Sequence, residues 1–156
     1  MANPSQIVKD VNLMGCIVSA VPITGSNRGV RGVWIDYSAD ATLTAGSGTI
    51  TSYVINKARY MITDRALFLK FDFTLTNAGT AGNNLGLSLP IIDGISLESL
   101  SNMNGMGVAR EDANSGLLCQ AEVYTPGNNV AIRDYNGNFR GSNGDRFIGD
   151  VTVKLV

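Results

Sequence analysis

The sequence predicts an all-β domain, an antiparallel β-sandwich or jelly roll, preceded by a short N-terminal helix and an extended arm. Three observations predict it. From Val30 onward the apolar residues recur at every second position, the period of a half-buried strand. Eighteen glycines, with asparagine beside many of them, break the 156 residues into short runs, as hairpin-connected strands require. Within 66–76, Leu67, Leu69, Phe71, Phe73 and Leu75 alternate with Lys70, Asp72, Thr74 and Thr76. A chain of this length forms one domain and buries roughly 70% of its unfolded surface. Eight to ten short strands are expected, with no linker inside 31–156.

Residues 1–30 read as an arm, distinct from the domain at 31–156. Asn3 can cap a helix, Pro4 suits its first position, and Gln6 stands where a capping box places its partner. Ile7, Val8 and Val11 follow at helical spacing, so a short helix runs to about Leu13. It is too short to be stable alone. The segment Cys16-Ile17-Val18-Ser19-Ala20-Val21-Pro22-Ile23 is extended, and Pro22 limits it to an edge or an arm. Thr24 to Gly29 form a flexible joint.

In the domain, Val33, Ile35 and Tyr37 alternate with Trp34 and Asp36 as a first strand. Thr49 to Asn56, β-branched and closed off by a Gly46-Ser47-Gly48 turn, form a second. Tyr60-Met61-Ile62 leads across a tight Thr63-Asp64-Arg65 turn into the longest strand. There Leu67, Leu69, Phe71, Phe73 and Leu75 face the core, while Lys70, Asp72, Thr74 and Thr76 face water. After a polar loop at 77–84, Leu85 to Leu89 form a strand stopped by Pro90. Residues 91–104 are ambiguous between short helix and loop. Gly105 to Arg110, Leu117 to Tyr124 and Val130 to Arg133 are strands, the last two joined by a hairpin-type loop at 125–129. Phe147, Gly149, Val151, Val153 and Leu155 line one face of the final strand.

Composition removes much of chemistry. There is no histidine, which excludes Ser-His-Asp and Cys-His nucleophiles, His-containing zinc sites and imidazole bases. Net charge −1 and a pI of about 5.3 argue against a nucleic-acid partner. Cys16 and Cys119 have no CxxC neighbour and read as buried thiols of a protein folded in a reducing cytoplasm. The first residues lack the basic and apolar regions of a signal peptide, and no apolar run is long enough for a membrane helix. A soluble protein made without export is expected.

The run Ala58 to Thr76, continuing through a Gly/Thr/Asn loop into Leu85-Gly86-Leu87-Ser88-Leu89-Pro90, resembles a pattern of bacteriophage virion jelly-roll proteins. These are capsid decoration or cement proteins and the related heads of fibres and tailspikes. In them a strand opening with tyrosine turns tightly into a long alternating strand, followed by a Gly/Thr loop and a short strand ending in proline. The resemblance covers residues 33–156 and is strongest over 58–90. It implies a trimer about a three-fold axis, assembled into virions in the host bacterial cytoplasm. This chain departs from the pattern at the tight turn, where Thr63-Asp64-Arg65 stands in place of glycine. Only the arm precedes the first strand, which suits a decoration protein rather than a fibre with a shaft.

Candidate sites follow. Ile7, Val8, Val11, Ile17, Val21, Arg28 and Arg31 are the expected capsid- or partner-binding residues of the arm. Trp34, Tyr37, Tyr53 and Tyr60 are the expected trimer-interface residues, since Trp and Tyr are enriched at interfaces. Arg59 and Arg65 join Arg28 and Arg31 as cations able to pair with an acidic capsid surface. Asp134-Tyr135-Asn136-Gly137-Asn138 has the rhythm of a calcium loop. However, Phe139 replaces the required glycine and Asp145 the terminal glutamate, so a hydrogen-bonded turn is expected there. Glu111 and Asp112 are expected to be simply solvated in a turn. Gly105-Met106-Gly107 lacks the strand-to-helix context of a nucleotide loop.

No catalytic, cofactor or metal site is expected. The predicted function is that of a homotrimeric decoration protein binding the major capsid protein or another virion protein. The alternative is a fibre head recognising host surface glycans.

Overall fold

A computed structural model describes residues 32–63, 65–92, 103–124, 128–138 and 141–155. The expected helix and arm, with Ile7, Val8, Val11, Cys16, Ile17, Val21, Arg28 and Arg31, lie outside the described residues. So do 93–102, most of the ambiguous segment.

Nine strands are described: β1 (Ile35–Asp36), β2 (Leu43–Ser47), β3 (Ser52–Ile62), β4 (Ala66–Asn77), β5 (Gly82–Ser88), β6 (Met103–Glu111), β7 (Leu118–Tyr124), β8 (Asn129–Arg133) and β9 (Arg146–Lys154). They hydrogen-bond in one sheet, in the order β1-β3-β4-β9-β6-β7-β8-β5-β2, and every pairing is antiparallel. The all-β expectation holds. Among the described residues the strands form one antiparallel sheet that curls into a half-barrel.

The curl follows from chain length. Tyr37 continues the β1 edge, its amide donating to Ala58 O, and Thr42 borders the β2 edge, its carbonyl accepting from Ser88 N. Laid flat, a sheet of nine strands would separate its edges by about 38 Å at ~4.8 Å per spacing. Five residue steps reach at most about 18 Å. The edges must therefore approach, and the connection tightens further where Asp40 N and Ala41 N both donate to Tyr37 O. The buried Tyr37 hydroxyl donates across the gap to Ser88 O at 3.2 Å, and its ring packs edge-on to Tyr60 with centroids 5.9 Å apart. Tyr37→Phe is expected to cost about 1 kcal/mol, the net worth of one hydrogen bond, read as a lowered urea midpoint.

Small residues permit the bend at its centre. Gly107 on β6 faces Val151 on β9; a Cβ there would run into the Asp150 carbonyl oxygen and lie 2.7 Å from Val151 Cα. On β9, a Cβ at Gly149 would lie 2.5 Å from the Phe71 ring and 2.6 Å from the Val108 carbonyl oxygen. Such close approach of backbones is available only without side chains.

β4 has the face assignment the alternation predicts: Leu67, Leu69, Phe71, Phe73 and Leu75 are buried. Phe73 pairs directly with Phe147, their rings stacked at 5.3 Å. Two expectations are corrected. Thr49–Asn56 and Tyr60–Ile62 are not separate strands, because β3 runs through both with a bulge between Ile55 and Lys57. The extra residue, Asn56, shifts the inward parity from Tyr53 and Ile55 to Ala58, Tyr60 and Ile62, as a bulge does. And Gly46-Ser47 lie in β2, a strand the glycine-rich sequence conceals.

Candidate binding faces

The concave face of the sheet is filled by one apolar cluster drawn from every strand except β1, to which Ile35 adds partial burial. Among the described residues, the surfaces left for a partner are the convex face, the rims and the loops.

The middle of the convex face mixes exposed apolar side chains with Arg110, Gln120 and Asp150. Met106 and Val108 on β6, Leu118 on β7 and Ile148 on β9 are all exposed, Leu118 at 65%. Register brings them together: Arg110 stands opposite both Leu118 and Ile148, and Val108 is two residues back on the same strand. To one side lies a row of charges from Asp36 through Arg59 and Lys70 to Asp150, each opposite the next. Asp36 is held by Lys57 and by the Ser38 hydroxyl and amide, which keep its carboxyl well below the usual range. Asp72 is held by Arg146 Nε at 2.9 Å and by Asn56 Nδ2 at 2.8 Å. The Arg146 contact lowers its pKa more than burial and Asn56 alter it. Arg59 and Lys70 instead rest on the ring of Trp34, at 5.2 and 5.7 Å from its centroid. A groove of about 410 Å³ runs between these cations and the apolar patch.

The rim formed by the β6–β7 and β8–β9 loops contains three buried carboxylates, Glu111, Asp134 and Asp145. Asp134 Oδ1 accepts from the amides of Asn136 and Asn138 at 2.9 and 2.8 Å, a hydrogen-bonded turn of the expected kind. Asp145 accepts from the Asn114 side chain and the Ser142 amide. Glu111 corrects the expectation of a solvated turn residue. It is 2% exposed and accepts from the amides of Ala113, Asn114, Ser115 and Gly116 and from the Ser115 hydroxyl. Burial, the largest single influence, would raise its pKa; the Ser115 hydroxyl and the amides together outweigh it and bring the value down to about 2. Its signal in the sequence was the run Ala113-Asn114-Ser115-Gly116, turn residues whose amides need an acceptor. Beside this cluster a cavity of about 390 Å³ is lined by Asn114, Asn136 and Ser142, with the 73%-exposed Tyr135 at its mouth.

The four expected interface aromatics separate. Tyr37 and Tyr60 are buried in the chain's own core; Tyr53 is half-buried, and Trp34 is exposed. Arg65 is exposed at the β3–β4 turn, away from the Arg59–Lys70 pair. Cys119 is a buried free thiol. Among the described residues no helix is long and apolar enough to cross a membrane. Compared with family models, curated proteins and solved structures, the chain matches none.

Proposed function

We propose that this chain is a structural virion protein, a homotrimeric, non-enzymatic decoration protein that binds the shell of a phage head. The observation that carries the reading is the apolar patch of Met106, Val108, Leu118 and Ile148 on the convex face. A domain whose concave face is already filled has no internal use for these exposed apolar side chains, which alternate with Arg110, Gln120 and Asp150 across the strands. Clustered exposed apolar side chains mark a docking face. Trp34, with Arg59 against its ring, adds two residue types enriched at interfaces. The jelly-roll reading belongs with this proposal: the flanks β1-β3-β4 and β8-β5-β2 close over a common core, as paired jelly-roll sheets do. Residues 1–30 supply the arm that grips the major capsid protein or another virion protein, adding area to the contact.

Deleting residues 1–27 is expected to leave a folded trimer that no longer coats purified phage heads. Labelled protein viewed on intact particles should cover the head lattice. Retained coating by the truncated chain defeats the arm's role, and signal confined to the tail defeats the decoration role.

One observation favours a second reading, a receptor-binding fibre head for host surface glycans. Tyr135 stands exposed beside amide side chains at the rim cavity, the pairing of aromatic face and polar groups that sugar recognition uses. Binding on a glycan array, lost on Tyr135→Ala, would establish it.

A further inference from the structure

We infer that the convex-face groove between β3 and β7 is a docking site for an acidic, apolar segment of a protein partner, its carboxylates held by Arg59 and Lys70. The inference rests on the virion reading and gives that partner its chemistry.

Arg59 and Lys70 are directly opposite each other on β3 and β4, and like charges in that relation repel. Neither makes an ion pair among the described residues; both lie against Trp34. Neighbouring carboxylates are otherwise engaged, Asp36 by Lys57 and Asp72 by Arg146. Asp150, opposite Lys70, is the one acid facing the groove without such a bond, and it offsets at most one charge. The groove is lined by Lys57, Arg59, Lys70 and Arg110 with Asp72 and Asp150. Lys57 is paired with Asp36 and Asp72 with Arg146, and Arg110 lies 3.9 Å from Asp112. Arg59 and Lys70 therefore stand against Asp150 alone, a surplus of one positive charge. This is a locally positive surface on a chain of net charge −1. A carboxylate placed between Arg59 and Lys70 would bond both and relieve their repulsion.

The far wall decides the class of partner. Val108, Leu118 and Ile148 are aliphatic and exposed, suited to apolar side chains. Sugars prefer an open aromatic face, and the Trp34 ring already carries two cations. A segment alternating acidic and apolar residues matches both walls.

The test titrates the full chain with three labelled nine-residue peptides, alternating leucine with glutamate, glutamine or lysine, and with oligogalacturonate as a carboxylated sugar. The glutamate peptide is expected to bind best, and more weakly as salt is raised. Arg59→Gln and Lys70→Gln should each weaken it about tenfold, the scale of one anchoring contact. Leu118→Ser should also weaken it, while Arg65→Gln should leave it unchanged. Circular dichroism should show all four variants folded, since these side chains lie outside the core. Equal binding of the glutamine peptide, binding that survives the Arg59→Gln/Lys70→Gln double variant, or preference for oligogalacturonate overturns the inference. Undiminished coating of phage heads by Lys70→Gln would sink the groove and leave the virion reading standing. Peptide binding by a chain that coats no particle would do the reverse.

Discussion

Gly107→Ala is expected to destabilise the domain by more than about 3 kcal/mol, at the upper end of what overpacking costs. The added methyl meets not a flexible side chain but the backbone of β9, at the Asp150 carbonyl and Val151 Cα. Backbone cannot step aside without loosening the β6–β9 ladder, which runs from Gly105↔Val153 to Glu111↔Phe147. Thermal unfolding should show a loss of about 3 kcal/mol as a melting point lower by roughly 6–12 degrees, at about 2–4 °C per kcal/mol for a domain near this size. A control at an open turn, Gly137→Ala, has free space around the added methyl and is opposed only by its φ of 81°, a cost of about 1 kcal/mol. Equal losses from the two substitutions would mean that the close approach at Gly107 does not shape the sheet.

Glu111→Gln is expected to cost about 3 kcal/mol and to change the acid limb of the stability curve. Glutamine keeps one acceptor oxygen but turns a donor toward the amides of Ser115 and Gly116 or of Ala113 and Asn114, leaving buried donors unpaired. The sign with pH is fixed by the lowered pKa. The folded carboxyl titrates near 2 and the unfolded one near 4.5, so its contribution is complete above pH 4.5 and disappears as pH falls toward 2. Two and a half pKa units correspond to roughly 3 kcal/mol. Wild-type stability should therefore fall steeply through that window and the variant's less so, in denaturant melts at pH 6, 4, 3 and 2. Parallel curves would remove Glu111 from the acid response.

What the sequence made legible is the part where one rule operates alone. Both neighbours of β4, β3 and β9, pair along it, so its inward apolar face is written in every second residue from Leu67 to Leu75. β3 was legible only in halves. The bulge at Asn56 switches which parity faces inward, and a parity switch looks the same as two strands with a break. β2 was hidden because Gly46 and Ser47 signal a turn, while the register with Leu85 and Gly82 is set by a partner forty residues away. Gly105-Met106-Gly107 was noticed for a motif it does not form. Its purpose, letting β6 press against β9, depends on a neighbour no local pattern names. Of the candidate site, the outward charge of Arg59 and Lys70 could be read from alternation. Their being opposite each other, and both against Trp34, follows from hairpin register and from the return of β1 to the β3 edge.

The place of β9 also governs the order in which the domain can be made. It is the last of the nine strands along the chain, yet it sits between β4 and β6. Before it emerges from the ribosome, the earlier strands exist as two unjoined sets, β1-β3-β4 and β6-β7-β8-β5-β2, each with an unpaired inner edge. Closing them requires β4 to find a strand whose paired residues lie more than seventy positions away, as Thr74 and Arg146 do, and distant pairing of this kind folds slowly. During that wait the bare edges of β4 and β6 can template the wrong neighbour. A chain of this topology must complete its ninth strand before a neighbouring copy completes it instead.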